Sequence, residues 1–161
     1  MYSTSHRLAA GVIIRKGDSI LLVKGNNNRW SLPKGGTHER EVFSEAAIRE
    51  AKEETGYTVK LNEVAFVTEF KKSDWGHYLQ VYYSAEITEG NMTCNNDPDH
   101  EISETSFVPI EELDAYLNFR PQALPVKLWL KANVTQYHCF DLDEESIEVM
   151  NMEVEEPDGI Q

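Results

Sequence analysis

Three glutamates in the first half of the chain have the type and spacing of a metal site. Glu53 lies three positions after Glu50, and Glu54 follows directly. On a helix these positions place their carboxylates on one face, where like charges oppose helix formation unless a counter-ion is present. Oxygen-only ligands select hard divalent cations. The triad therefore predicts a binding site for Mg²⁺ or Mn²⁺.

An acidic helix face can also be simply solvated, and that alternative must be weighed. At about 100° per residue, the triad shares its face with small or apolar residues, namely Phe43, Ala46 and Ala47. The opposite side carries the mixed charges expected in water, from Glu45, Arg49 and Lys52. A solvated acidic face would have the reverse arrangement, so we favour the metal site.

The residues before the triad predict contacts with a ligand. Gly35 and Gly36 allow the backbone to pass close to a substrate, and Lys34 can bind a phosphate as a mobile cation, although a solvated lysine is an equally good interpretation. Arg49 lies off the triad face and is interpreted as the partner of Glu41 or of a neighbouring carboxylate. The alternative is a weak surface pair with the glutamate four residues earlier.

The whole chain suits a single domain that binds a small anion. It has 161 residues, a net charge of −13 and two cysteines without metal or redox spacing. We expect a cytoplasmic protein, since neither a signal peptide nor a membrane span is visible. The negative charge argues against a surface that coats nucleic acid. Residues 1–40 are nevertheless locally basic, which suits a small phosphorylated substrate. The oligomeric state stays open.

The elements that must position these residues follow from the hydrophobic pattern. Strands alternate with helices and predict an α/β fold with a mixed β-sheet. The catalytic helix should begin near residues 42–44 and end at Gly56. We expect one domain over residues 1–140 and a mobile acidic tail over 141–161. The predicted strands are 7–15, 20–24, 59–70, 77–87 and 102–108, and a second long helix is predicted over 125–134.

The motif around the triad resembles the Nudix box of the Nudix hydrolases. Gly35, five residues, Glu41, seven residues and then Arg49-Glu50-Ala51-Lys52-Glu53-Glu54-Thr55-Gly56-Tyr57 match all its fixed positions. Ala51 is smaller and Tyr57 more aromatic than is usual there. Residues 30–36 and 107–113 also resemble the family's segments before and after the box. The resemblance implies an α/β/α sandwich with a mixed β-sheet between helices.

The same resemblance implies an activity and a set of roles. The expected reaction is Mg²⁺-dependent hydrolysis of a diphosphate linkage in a nucleoside diphosphate bound to a variable group. The implied metal ligands are Glu50, Glu53 and Glu54, with Glu50 alternatively the base, and Arg49 and Glu41 complete the catalytic set. The family often uses a further glutamate outside the box, for which Glu101 and Glu104 are candidates.

The substrate is left open at this point. The run Leu32–Gly35 resembles members that cleave dinucleoside polyphosphates or diphosphoinositol phosphates. A different class of function, a catalytically weak nucleotide-sensing module, would keep the same fold. Four aromatic residues either stack a nucleobase or pack in the core: Trp30, Trp75, Tyr78 and Tyr82.

Overall fold

The computed structural model describes residues 6–152. Within that range no helix is long and apolar enough to cross a membrane. A short 3₁₀ turn, Ile110–Glu112, precedes α2. In chain order the elements are β1 (His6–Lys16), β2 (Ser19–Gly25), β3 (Trp30–Ser31), β4 (Lys34–Gly36), α1 (Phe43–Thr55), β5 (Tyr57–Lys72), β6 (Gly76–Gly90), β7 (Ile102–Pro109), α2 (Leu113–Tyr116), α3 (Arg120–Ala132), β8 (Gln136–Asp141) and β9 (Ser146–Asn151).

The strands form one mixed sheet. Its order is β3-β2-β1-β6-β5-β8-β9, with β4 paired to β1 and β7 paired to β2. Strand β1 is parallel to β6 and β5 is parallel to β8, whereas the other pairs are antiparallel. The turn predicted between β1 and β2 is present, with Lys16 opposite Ser19. The predicted fold class, α/β with a mixed sheet, is confirmed.

Both faces of the sheet are buried, because helices cover them on either side. Neighbouring strand residues point to opposite faces. On β1, Ile13 packs in a cluster with residues of α3, while Val12 and Ile14 pack in a second cluster with the alanines of α1. The sheet therefore lies between α1 and α3, as the predicted α/β/α sandwich requires.

Helix α1 has the boundaries that the sequence predicts. It begins at Phe43, and the backbone N–H of Val42 donates to the Glu45 carboxylate over 3.2 Å. It ends at Gly56, which has φ +84° and donates its N–H to the Lys52 carbonyl. A Cβ at this glycine would lie 2.2 Å from the Asn91 carbonyl oxygen. Glycine is thus required both by the left-handed backbone and by the close approach of a neighbouring loop.

The predicted start of the last helix is wrong. Helix α3 begins five residues before Pro125, which lies inside it. A proline there removes the N–H that would donate to the carbonyl of Pro121. The structure supplies a substitute, because the Thr68 hydroxyl on β5 donates to that carbonyl over 2.6 Å. The helix continues through the proline because a strand distant in sequence replaces the missing donor.

The acidic tail does not begin where the sequence predicts. Residue 141 is the last residue of β8, and Ser146–Asn151 form β9, which pairs with β8 along its full length. The prediction of a mobile tail from 141 onward is therefore wrong for residues 141–151. Its remainder, beyond residue 152, lies outside the described residues.

Candidate active site

Strand β4 brings the backbone of the box against helix α1. Lys34, Gly35 and Gly36 pair with β1, and the Lys34 N–H donates to the Glu54 carboxylate over 2.8 Å. A Cβ on Gly35 would lie 2.2 Å from the Glu50 carboxylate. Only a residue without a side chain lets the strand approach this carboxylate so closely. Gly36, by contrast, has room for a Cβ, whose nearest contact would be at 3.7 Å.

Arg49 joins the box glutamates to one another. Its Nε and Nη2 donate to the two oxygens of Glu41, each over 2.8 Å, in a bidentate pair. Its Nη1 donates to Glu50 over 2.8 Å and to Glu53 over 3.1 Å, and Nη2 also reaches the Gly36 carbonyl at 2.9 Å. The predicted pairing of Arg49 with Glu41 is present. The alternative partner, Glu45, instead accepts from the helix N-terminus.

The environments of Glu41 and Glu50 shift their pKa values in opposite directions. Hydrogen bonds from the Arg49 guanidinium lower the pKa of Glu41 to about 2, because they favour its charged form. For Glu50, loss of solvent raises the pKa despite the arginine, and the nearby charge of Glu53 adds to this. The crowding of like charges inferred from the spacing is thus present in the fold.

Glu54 is the most buried carboxylate of the triad, at 9% exposure. Burial raises its pKa to about 8, and the hydrogen bond from the Lys34 backbone opposes that shift. The neighbouring Glu50 and Asp97 charges raise it further, whereas the Lys34 side chain lowers it. This group therefore lies in a site with a deficit of positive charge.

Asp97 is a carboxylate near the site that sequence reasoning missed. It is 5% exposed, and its charge raises the pKa of both Glu50 and Glu54. Its own oxygens accept N–H donors from the loop before β7, including Glu101 at 2.7 Å. The Asp97-Pro98 pair indicates a turn in the sequence. Nothing in the sequence indicates that this turn folds back to α1.

The two glutamates nominated outside the box are not brought to the triad. Glu101 is exposed and is related to the site only through its backbone N–H, which binds Asp97. Glu104 is exposed on β7, and its carboxylate lies 3.8 Å from Lys24 Nζ. In residues 6–152 no hydrogen bond or ion pair joins either side chain to α1, whereas the charge of Asp97 acts on both Glu50 and Glu54.

The triad has the donor chemistry of a divalent site, although its side chains are turned to protein partners. In residues 6–152, no group of three or more His, Cys, Asp or Glu side chains is arranged to hold a metal ion. Arg49 engages one oxygen of Glu50 and one of Glu53, and Lys34 engages one of Glu54. Over the same range no hydrogen bond or ion pair uses the second oxygen of any of them. Three oxygens in a site short of positive charge fit a hard cation.

A buried chain of polar side chains links β4 to the opposite face of the sheet. The Leu32 N–H donates to Gln122 Oε1 over 3.0 Å, and Gln122 Nε2 donates to the Tyr82 hydroxyl over 2.9 Å. That hydroxyl in turn donates to Gln80 over 2.8 Å. Burial raises the pKa of Tyr82, and the charge of Glu54 raises it further. The network thus extends from α3 to the immediate surroundings of the triad.

The four aromatic residues considered for stacking on a nucleobase differ in how exposed their rings are. Tyr82 is fully buried and belongs to the core, stacked on Phe66. Tyr78 stacks on Phe70 and binds the Arg7 guanidinium. Trp30 is half-buried and Trp75 is 42% exposed, so these two retain accessible ring surface.

The fold and the arrangement of the box residues agree with those of a known protein family. A protein-family model described as the NUDIX domain matches residues 5–130. The chain belongs to this family, and the predicted resemblance is confirmed.

Its curated relatives are named as hydrolases. The chain is 32% identical over 95 residues to an ADP-ribose pyrophosphatase of Methanocaldococcus jannaschii, covering 56% of each protein. It is 27% identical over 117 residues to Nudix hydrolase 5 of Arabidopsis thaliana, covering 68% of this chain and 38% of that protein. The chain therefore spans about two fifths to just over half the length of these relatives.

Solved structures agree on the fold. One from Nitrosomonas europaea, called a NUDIX hydrolase, superposes with a TM-score of 0.72 at 18% identity, covering 88% of this chain and 81% of that one. An ADP-ribose pyrophosphatase from Streptococcus suis gives a TM-score of 0.65 at 23% identity, covering 81% and 98%. At these identities the likeness establishes the shared fold alone.

Proposed function

We propose that this chain is a Mg²⁺-dependent pyrophosphohydrolase that cleaves a diphosphate linkage in a nucleoside diphosphate derivative. The observation that carries the proposal is the box triad itself. Within residues 6–152, Glu50, Glu53 and Glu54 each present one oxygen without a protein partner, in a site where burial and mutual repulsion leave a deficit of positive charge. The names of the curated relatives favour the same reaction class.

Each residue of the site has a role in this proposal. The triad would hold Mg²⁺, which supplies a polarised water and offsets charge on the phosphate oxygens. Arg49 keeps Glu41, Glu50 and Glu53 oriented through its hydrogen bonds. Gly35 lets the backbone of β4 run directly over Glu50, where a diphosphate can approach. Lys34 places a cation beside the same carboxylates and would bind a phosphate oxygen.

The substrate proposed is small and phosphorylated, and the place of action is the cytoplasm. A nucleoside diphosphate linked to a sugar is favoured, since one relative is named an ADP-ribose pyrophosphatase. Both cysteines are free and half-buried, as expected in a reducing compartment.

The test is a turnover screen that resolves products by mass, with and without Mg²⁺. It covers nucleoside triphosphates, nucleotide sugars including ADP-ribose, dinucleoside polyphosphates and diphosphoinositol phosphates. The variant is Glu53→Gln, which keeps the shape of the side chain and removes its charge. We expect kcat for the preferred compound to fall on the order of 10²- to 10³-fold, as for loss of one electrostatic group in a catalytic site.

Glu45→Gln is the matched control. It makes the same chemical change on the same helix, and its amide oxygen still accepts the Val42 N–H. Its turnover should equal that of the unmodified protein. If no compound turns over while a nucleotide raises the melting temperature, the hydrolase proposal fails and the nucleotide-sensing alternative replaces it.

A further inference from the structure

A recess opens between the loop before β3 and the turn that joins α2 to α3. Its volume is about 480 Å³. We call it the aromatic recess, since three ring side chains line it together with one guanidinium and two amides: Trp30, Tyr116, Phe119, Arg29, Asn28 and Asn118. None of these six residues belongs to the box.

The shape of the aromatic recess is held by core packing. Trp30 and Tyr116 meet edge to face, with ring centroids 5.4 Å apart, and both pack against the core cluster of α3. Phe119 packs on Phe70 at 5.1 Å and remains 38% exposed. Two rings are therefore fixed by the core, and the third presents open surface to a ligand.

The lining has the chemistry that recognises a planar heterocycle. Aromatic faces stack on any nucleobase. The Asn28 and Asn118 side chains, both on exposed residues, supply hydrogen-bond donors and acceptors for ring edges. The Arg29 guanidinium adds positive charge. An alkyl chain would use the rings but not the amides.

A short segment joins the aromatic recess to the catalytic strand. Trp30 and Lys34 are four positions apart, a span of at most about 14 Å in extended chain. Between them, the Leu32 backbone is bound by Gln122 of α3. The segment that walls the recess therefore also positions the N–H that binds Glu54.

We propose that the aromatic recess binds the heterocycle of the substrate, with Phe119 as its exposed stacking surface, while the diphosphate lies against β4 and the triad. This assignment rests on the proposed function, and it narrows the substrate to compounds that carry a planar base. It disfavours diphosphoinositol phosphates, which have no ring that can stack.

A second hollow, beside Trp75, is a weaker choice for the base. Two of its cations are already paired, because Lys71 lies 3.7 Å from Asp141 and Lys72 lies 3.7 Å from Asp74. A third, Arg7, donates to the Tyr78 hydroxyl. The same hollow is lined by Asp143 and Glu144. Their charge would repel the phosphates of a nucleotide.

Phe119→Leu is the main variant, because leucine keeps apolar contact with Phe70 but removes the flat ring. Since the Phe119 ring also lies 6.2 Å from that of Trp75 in the second hollow, Trp75→Leu is measured beside it and should leave nucleotide affinity unchanged. Calorimetry with AMP, GMP, CMP and UMP measures binding without any bond to cleave. We expect the dissociation constant of the preferred nucleotide to rise roughly 10- to 100-fold, the effect of losing one stacking surface. In turnover, KM for the nucleotide substrate should rise with little change in kcat. Phosphoribosyl diphosphate, which has no base, should be handled as before.

Ile87→Ala is the control. This residue has the same 38% exposure as Phe119 but lies on β6, away from the recess. Its nucleotide affinity should be unchanged, and melting curves of both variants check that the fold is intact. The proposal is overturned if the unmodified protein binds no nucleotide, or if Phe119→Leu binds within twofold of it. If Phe119→Leu loses nucleotide binding but the unmodified protein turns over no compound, the recess is still the base-binding site and only the hydrolase proposal fails.

Discussion

Helices α1 and α3 each have 13 residues and pack on opposite faces of one sheet, yet their buried sides differ in chemistry. Helix α1 buries Glu54 beside three alanines, and burial raises the pKa of this carboxyl group to about 8, so its ionisation in the interior is costly. Helix α3 buries apolar residues and Gln122, whose amide oxygen accepts from Leu32 and whose amide nitrogen donates to Tyr82. It also buries the Trp129 indole N–H, which has no hydrogen-bond partner in residues 6–152. Helix α1 therefore buries an ionisable group, whereas the polar groups that α3 buries are neutral.

The difference shows where the fold retains a destabilising group. A buried carboxylate without a cation destabilises the fold, and it is retained at the place where a ligand could neutralise it. Helix α3 contains an equally unfavourable residue, Pro125, but there Thr68 replaces the lost hydrogen bond. At Glu54 the cost falls on an ionisable group that a cation could neutralise, whereas at Pro125 the protein itself supplies the missing donor.

The helix ends give the largest predicted contrast. In Gly56→Ala the residue must keep φ +84°, and its new Cβ would lie 2.2 Å from the Asn91 carbonyl oxygen. We therefore expect the free energy of unfolding to fall by about 3 kcal/mol. Asn133, which ends α3 at φ +56°, already carries a Cβ. Asn133→Ala should cost about 1 kcal/mol, since only the backbone preference changes. Urea unfolding measures both, and equal losses would mean that the Asn91 contact carries no energy.

The second prediction concerns the hydrogen bond by which Thr68 replaces the donor that Pro125 lacks. Thr68→Val removes the hydroxyl and leaves the buried Pro121 carbonyl without its donor, so the free energy of unfolding should fall by about 2 kcal/mol. Thr88→Val is the control, because it removes an exposed hydroxyl that donates to the Thr58 carbonyl. Its effect should stay within about 0.5 kcal/mol. If the two variants melt together, α3 does not depend on Thr68.

The buried Glu54 carboxyl group predicts an effect of opposite sign, a gain in stability when it is replaced. Burial raises the pKa of Glu54 from 4.5 to about 8, so the folded state binds a proton that the unfolded chain releases. This contribution to stability is complete below about pH 4.5 and is lost as the pH rises toward 8. Glu54→Gln has no such loss, and at pH 8 we expect it to exceed the unmodified protein by at least about 1 kcal/mol.

Urea unfolding at pH 5, 6.5 and 8, in buffer with a chelator, measures this effect. The variant should show the shallower dependence on pH, while Glu45→Gln, on the solvent side of the helix, should follow the unmodified protein. Parallel curves for Glu54→Gln and the unmodified protein would show that Glu54 is not the group under electrostatic strain.

Features that depend on residues close together in the chain could be predicted from the sequence. The start of α1, its end at Gly56 and the gathering of the triad were predictable, because each depends on residues within one or two helical turns. The pairing of Arg49 with Glu41 was predictable for the same reason, since both lie in one motif. The spacing of residues within one motif therefore predicts how their side chains are arranged.

What could not be predicted depends on residues far apart in the chain. The start of α3 depends on Thr68, 53 positions before Pro121. The strand at 146–151 depends on pairing with β8 rather than on its own composition, which favours disorder. Asp97 reaches the surroundings of Glu54 only because its loop folds back on the box. In each case a distant contact overrides the local preference.

The parallel pairing of β1 with β6 has a consequence for how the chain folds. His6 lies opposite His77, and Ile14 lies opposite Ala85, so each contact closes a loop of 71 residues. Such closures are slow, whereas the antiparallel hairpin of β5 and β6 needs only a short turn. We therefore expect β5 and β6 to associate first and β1 to add to a preformed edge. The glycine strand β4 pairs with β1, so the catalytic surface is among the last parts to assemble.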